Sequence, residues 1–438
     1  MANAKLGFWT TTSLVTGNMV GSGIFLLPAA LAGFGGISLF GWIISALGAL
    51  SLAYVFASLA RKIRGSGGPY KYAQHQFGDL MGYLVAWGYW FCIVTANAAI
   101  AIALVSYLSV FLPVLASDTL IATLATLGFV WILVGINLLG IKEAGRVQLF
   151  TTIVKIVPLI AVALVGVFFM QTEHFEPFNL TGDSTFSAVS SVAALTMWAF
   201  LGLESANIPD DEVENAEQTV PKAALLGTLI SACIYIPSTF AVLGLIAPET
   251  LALSNAPFAD AAALLFGQWA YYLVAFIAVV SCFGTLNGWT LVVGQVPMAA
   301  ANDHLLPKAF AKLSRNGVPA FAIVLSSVLV SCLVLMNASD NLVEQFTFVI
   351  LLSTLTSLLP YLVCTIVHAL MLCTGKASHR LTFASGITSL FAIVFSTWII
   401  INTGFDAIFW GCVLLIAGLP VYVLMKLEKK KELAKVIE

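Results

Sequence analysis

Residues 18–28 read NMVGSGIFLLP, an apolar segment interrupted by Gly-Ser-Gly from Gly21 to Gly23. Glycine inside a helix costs about 1 kcal/mol relative to alanine, and here two glycines bracket a hydroxyl within the first apolar segment of the chain. Two readings compete. Small residues permit close helix packing in a membrane. Alternatively, the helix is unwound at this point, which frees backbone N–H and C=O groups at membrane depth; that is tolerable only where they line a cavity or bind something.

The surrounding sequence identifies the medium. Of 438 residues, 60% are hydrophobic and 9% charged, against roughly a quarter charged in soluble domains, and the mean hydropathy is +1.00. Such a chain belongs in a lipid bilayer. A spanning helix needs about 20 apolar residues, and about twelve stretches qualify: 8–31, 36–60, 82–112, 120–140, 147–171, 186–207, 222–247, 269–300, 320–337, 342–372, 381–402 and 405–425. The fold class is therefore all-α membrane protein. The N-terminus, MANAKLGFWTTTSLVTG, carries one lysine ahead of an apolar run but lacks an A-x-A-like cleavage site, so it reads as a retained first span. The seven cysteines show no CxxC or Cys/His metal spacing and read as packing residues. No phosphate loop, nucleophile triad or metal cluster points to an enzyme, and nothing implies a cofactor or a nucleic-acid partner.

Lysine and arginine in short loops set orientation. Arg61, Lys62, Arg64 and Lys71 lie between the second and third spans, Lys142 and Arg146 between the fourth and fifth, and Lys308, Lys312 and Arg315 between the eighth and ninth. Lys376 and Arg380 follow the tenth, and KLEKKKELAK lies near the C-terminus. With Lys5 and Lys222, all fall on one side of a twelve-span arrangement. The opposite loops carry Asp118, Glu173, Glu176, Asp183, Glu249, Asp260, Asp340 and Asp406 without a basic residue. Both termini are expected in the cytoplasm, in a plasma membrane such as the bacterial inner membrane.

Two ionisable residues fall inside spans: Lys155 in the fifth and Glu204 in the sixth. Such groups are expensive in a membrane and face a cavity or a partner, unless they lie near a span end and reach interfacial water. Glu204 follows Gly202 in WAFLGLESA, about 180 residues and five spans beyond the Gly-Ser-Gly. Glycine-interrupted segments at matching positions in two halves point to an inverted-repeat transporter, with the site where the helices break. A half-helix N-terminus exposed there attracts a carboxylate.

The segments GNMVGSGIFLLPAALAGFGG (17–36), GSGGPYKYA (65–73), WAFLGLESA (198–206), VENAEQTVPKA (213–223) and GTLNGWTLVVGQ (284–295) resemble the amino acid–polyamine–organocation transporters. Among these the chain is most similar to the basic amino acid/polyamine antiporters: arginine–agmatine, lysine–cadaverine and putrescine–ornithine exchangers. The resemblance implies a LeuT-type 5+5 inverted repeat, with residues 1–171 as the first repeat and 172–372 as the second. Helices 1 and 6 would be broken, and residues 373–438 would hold two extra helices and a basic tail. It also implies the site. Substrate carboxylate would meet Ser22, Gly23 and Ile24, the amino group the backbone at Trp198, Ala199 and Leu201, and Asn18 would also line the substrate site. Trp289 would stack on the distal cation, Asn97 and Ser353 would add polar contacts, and Tyr89 and Glu204 would gate the site or sense pH. Relatives of this kind are often homodimers. The tryptophans also read as packing or lipid-facing residues, and Tyr89 as an interfacial one; a cation over an indole gains about 0.5–2 kcal/mol, which suits a site that must also release its cargo.

The chain departs from that pattern in three places. The loop IPDDEVENAEQTVPKA (208–223) has Ala216 and Gln218 where the antiporters carry proline and arginine, and it is dense in acids. Gln74 stands where polyamine exchangers have an acid. Lys155 resembles the fifth-helix lysine of proton-coupled symporters in the same superfamily, where the ammonium takes the place of a bound cation. The expected function is thus exchange of a basic amino acid, arginine-like, for its decarboxylated amine, agmatine-like. The alternatives are a proton-coupled amino acid symporter using Lys155, or a putrescine/polyamine transporter.

Overall fold

The computed structural model describes residues 7–21, 23–63, 67–140, 144–204, 213–339, 341–374 and 383–437, with side chains described except at 144–152, 383 and 428–437. Ser22 lies outside the described residues, as does most of the acidic stretch at 205–212. Helices follow one another as α1 (Phe8–Met19), α2 (Gly23–Leu31), α3 (Ser38–Ala60), α4 (Pro69–Phe77), α5 (Asp79–Leu108), α6 (Val114–Ser117), α7 (Thr119–Leu138), α8 (Ala144–Gly166) and α9 (Thr185–Met197). They continue as α10 (Ala216–Leu245), α11 (Pro248–Ala252), α12 (Pro257–Phe266), α13 (Gln268–Asn302), α14 (Ala320–Met336), α15 (Leu342–Cys373), α16 (Phe383–Ile401) and α17 (Phe405–Ile437).

Among the described residues, eight helical stretches are long and apolar enough to cross a bilayer, the first being Phe8–Ala60. Shorter apolar helices lie at Ile153–Gly166, Thr185–Phe200, Pro257–Phe266 and Ala320–Met336. In lipid, a helix must satisfy its own polar groups. Hydroxyls within these helices do so by turning back onto the preceding turn: Thr95 onto Phe91, Thr126 onto Ala122, Thr228 onto Ala224, Ser326 onto Ala322 and Thr354 onto Ile350. The free N–H groups at helix starts are met by capping side chains. Asp118 accepts from Ile121, Ser184 from Ser187, and Asn341 from Val343 and Glu344, which sets the starts of α7, α9 and α15.

Helix α5 forms the axis. It is buried along nearly all its length and packs most extensively on α15 and α13. On the other side, α10 packs on α3, α1 and α8. The helix ends collect on two faces. On one, Lys71 meets Asp303 at 2.6 Å, Tyr70 donates to the same carboxylate at 2.8 Å, Lys426 meets Asp79 at 3.0 Å, and Asn316 donates to the carbonyl of Leu138 at 2.8 Å. These bonds bring together the ends of α4, α5, α7 and α13 and the body of α17. On the other face, Gln171 reaches the carbonyl of Gly244, Ile37 that of Phe178, and Ser106 that of Asn255.

Candidate functional site

The first helix is interrupted where its glycines lie. α1 stops at Met19, Val20 turns away at φ −72° and ψ 71°, and α2 begins at Gly23. An unbroken helix would bond the carbonyl of Gly17 to the N–H of Gly21. Instead Gly21 donates to Met19 at 2.7 Å. The freed Gly17 oxygen accepts from the Lys155 ammonium at 2.5 Å. Lys155, 2% exposed, therefore puts its charge at the C-terminal end of α1, where a helix dipole favours a cation.

The sixth apolar segment is interrupted as well. After α9 comes one 3-10 turn, Trp198–Phe200; Leu201 is extended and Gly202 takes φ +102°, a left-handed conformation that favours glycine. The two interruptions touch. A Cβ on Gly23 would lie 2.4 Å from the Trp198 ring, and one on Gly21 would lie 2.8 Å from the Thr285 methyl. Both readings of Gly-Ser-Gly therefore apply: the backbone leaves the helix, and the missing side chains let Trp198 and Thr285 lie against it. Asn18 and Trp289 flank Gly202.

Between these segments is a cavity of about 30 Å³. Among the described residues it is lined by Asn18, Gly21, Gly23, Trp198, Ala199, Leu201, Glu204, Thr285 and Trp289, and on α5 by Cys92, Ile93, Ala96 and Ile100. A volume of that size holds a water molecule or two, well under the roughly 150 Å³ that admits benzene. This conformation is closed around its centre. The first N–H groups of α2 have no partners within their own helix, so the α2 end of the cavity is rich in donors. Trp198 stands edge-on to Phe346 at 5.3 Å, and its buried indole N–H has no hydrogen-bond partner.

Glu204 closes one end of the cavity. It is 1% exposed, accepts from the Tyr89 hydroxyl at 2.5 Å on Oε1, and accepts from the Tyr361 hydroxyl on Oε2. These two bonds tie α5 and α15 to the segment after α9. Asn97 sits behind the lining. Its amide donates to the Trp289 carbonyl at 3.4 Å, and its own buried oxygen is without a partner. Ser353 donates to the Cys92 carbonyl at 3.2 Å, holding α15 to α5. Ile24 is fully buried on α2, one residue past Gly23.

Of the residues expected to form a site, Asn18, Gly23, Trp198, Ala199, Leu201, Trp289 and Glu204 meet at the cavity. Tyr89, Asn97 and Ser353 support it through hydrogen bonds. Lys155 lies beyond α1, bonded to the residue before Asn18. Sequence reasoning missed Tyr361 and Thr285. Tyr361 is eight residues beyond Ser353 on α15, two helical turns, hence on the same face. Cys92, Ile93, Ala96 and Ile100 recur at helical spacing from Tyr89. Those periodicities, and the place of Thr285 one turn before Trp289 on α13, are the signals that could have found these residues.

Comparison with known proteins agrees along the chain. Residues 6–423 match the amino acid permease family. The chain is 36% identical over 366 residues to the cadaverine/lysine antiporter of Escherichia coli strain K12, covering 82% of this chain and 81% of that protein. It is 32% identical over 419 residues to the putrescine transporter PotE of the same strain, covering 95% of each. To PotE of Haemophilus influenzae it is 33% identical over 430 residues, covering 98% of this chain and 99% of the relative.

Proposed function

Because the chain belongs to the amino acid permease family, we propose that it is an integral membrane antiporter that exchanges a basic amino acid, arginine-like, for its decarboxylated amine, agmatine-like, by alternating access. The observation that carries this reading is the meeting of two interrupted helices, at Val20–Gly21 and Leu201–Gly202, around one cavity with two tryptophans and one acid. Relatives named for cadaverine, lysine and putrescine support a cationic cargo. Counting Phe8–Ala60 as two passes, and adding Ile153–Gly166, Thr185–Phe200 and Ala320–Met336 to the other long helices, gives about twelve crossings. Residues 1–171 and 172–372 are then the two inverted repeats, 373–438 follows them, and both termini are cytoplasmic.

In this mechanism the cargo carboxylate takes the N–H groups at the start of α2, at Gly23 and Ile24, with Ser22 and Asn18 beside them in the sequence. The amino group takes carbonyls at Trp198, Ala199 and Leu201, which the 3-10 turn leaves only partly used. The distal cation lies on the Trp289 face, and the orphaned Asn97 oxygen is a ready acceptor beside it. Trp198 covers the cargo, and the Tyr89–Glu204–Tyr361 cluster bars the way beyond. A proton on Glu204 would turn one acceptor oxygen into a donor, so the phenol facing it would have to turn and accept instead, and that phenol's own hydrogen would lose its partner. That makes the cluster a gate that senses pH. Lys155 serves as a resident cation for α1, so exchange needs no sodium.

Labelled substrate uptake into proteoliposomes tests this reading, using arginine and agmatine, lysine and cadaverine, and ornithine and putrescine. Uptake is expected only into vesicles preloaded with a counter-substrate. The bond from Lys155 to the freed carbonyl favours a second reading, proton-coupled symport. Uptake into empty vesicles driven by a proton gradient would establish it and overturn exchange.

A further inference from the structure

Tyr107, the penultimate residue of α5, makes two hydrogen bonds that the cavity does not account for. Its hydroxyl donates to the carbonyl of Phe25 on α2 at 2.8 Å and accepts from the N–H of Phe258 at 3.2 Å. Phe258 is the second residue of α12, so its N–H has no partner within that helix. One buried oxygen thereby bridges the half-helix that begins at the cavity and the helix that packs over that side of the bundle. The rings repeat the connection: Phe25 stands edge-on to Tyr107 at 5.6 Å and to Phe258 at 5.9 Å.

The segment leading into α12 is anchored separately. Ser106, next to Tyr107, donates to the Asn255 carbonyl at 2.7 Å. Ser254 accepts from the Ala256 N–H and donates to Asp260, closing the turn on itself. The Phe258, Ala259, Ala261 and Ala262 side chains are fully buried, while Leu253 at the segment's edge is 76% exposed. Residues 253–266 therefore form a seated cover with an exposed rim. Ser106 fastens the cover to the rigid axis helix; Tyr107 alone of the two also holds α2.

Resting on the transporter reading above, we infer that Tyr107 is a positioning residue that couples α2 to the cover at 253–266, so that rearrangement of α2 around cargo and seating of the cover occur as one event. The oxygen is suited to this because each of its bonds serves a group at an end or edge of a moving element rather than within α5. Breaking either bond leaves a buried hydroxyl or N–H unsatisfied, which disfavours states in which one element has moved and the other has not.

The test uses Ala256→Cys, a buried position within the cover, in a chain whose exposed Cys233, Cys332, Cys373 and Cys412 are replaced by alanine. A membrane-impermeant maleimide is applied in detergent. Without added substrate, Tyr107→Phe keeps the ring and is expected to raise the labelling rate roughly three- to tenfold, the value of one hydrogen bond. An unchanged rate in a monodisperse, folded Tyr107→Phe protein would overturn the bridge. With saturating arginine, agmatine, lysine or cadaverine in turn, labelling should fall in the parent with at least one of them, fall equally with that substrate in Ser106→Ala, and stay unresponsive in Tyr107→Phe. Loss of the substrate response in Ser106→Ala as complete as in Tyr107→Phe would overturn the assignment to Tyr107. If no substrate alters the parent's labelling, the transport reading fails by itself, while the substrate-free comparison still decides the bridge.

Discussion

At Gly23 a single hydrogen atom stands where any other residue would put carbon 2.4 Å from the Trp198 ring. Gly23→Ala must displace that indole, so exchange activity is expected to fall at least tenfold. Trp198→Phe in the same chain, with a smaller ring, should restore part of it; exchange by the single and double variants in proteoliposomes checks this. Glu204 offers a second test at this scale. Each phenol on its carboxylate is a buried bond to an acid, worth about 1.5–3 kcal/mol. Tyr361→Phe and Tyr89→Phe should each lower the melting temperature in detergent, and the double variant should cost less than the two combined, because both act on one carboxylate. Additive losses would show that the phenols act independently. Tyr361 also shows a limit of sequence reading. A neutral tyrosine in an apolar run carries no local mark of the acid it serves, whereas Glu204 does, because a carboxylate in a membrane span calls for a partner.

Elements were more legible than residues. Helices lie on the apolar stretches because a chain this hydrophobic leaves the backbone no other way to satisfy itself in lipid. The two interruptions could be read because glycine marks each, and Gly202 at φ +102° is held there by conformation rather than by space: its nearest neighbours lie at ordinary contact distance. What the sequence hid is which groups the breaks release, since the Gly17 oxygen becomes available only when Gly21 turns to Met19. Lys155→Met, similar in length but uncharged, should abandon that oxygen and cut exchange at least tenfold in both sodium and potassium media. Wild-type rates would make the lysine dispensable. The cover at 253–266 makes a pH prediction. Burial pushes the Asp260 carboxyl above the ordinary carboxylate range, opposed by the Ser254 hydroxyl that donates to it, with Tyr107 and Tyr271 the titratable groups facing it. A raised carboxylate stabilises the seated form at acid pH and loses that contribution as pH rises through its shifted value. Labelling of Ala256→Cys, taken relative to an exposed cysteine so that the thiol's own pH dependence cancels, should therefore slow as pH is lowered from about 7 to about 4.5, and Asp260→Asn should remove that relative change.

Across the whole molecule, the arrangement of basic residues carries the most information. Lys71, Lys426 and Asn316 join helix ends on one face, while Gln171, Ile37 and Ser106 join ends on the other. In intact cells an impermeant thiol reagent should label Gly182→Cys and spare Asn316→Cys; the reverse pattern would invert the orientation. The proposed sidedness rests on the sequence, in which lysine and arginine fall in alternate loops along the chain. The matched glycine breaks pointed to a meeting of α2 with the segment at Trp198, but the close contact of Gly23 with the indole is not legible, because it joins segments about 175 residues apart.

The ammonium of Lys155, bonded to the chain itself, has an electrical consequence. If Lys155 serves as the proposed resident cation and keeps its proton through the cycle, the charge carried per cycle is left to the cargo alone. Import of a +1 amino acid against export of a +2 amine then moves one elementary charge outward each turn. An inside-negative potential opposes that by about 2.3 kcal/mol per 100 mV, so the concentration ratio of the two substrates must supply the work. Under voltage clamp the current should reverse where that ratio and the potential balance, at a value indifferent to sodium.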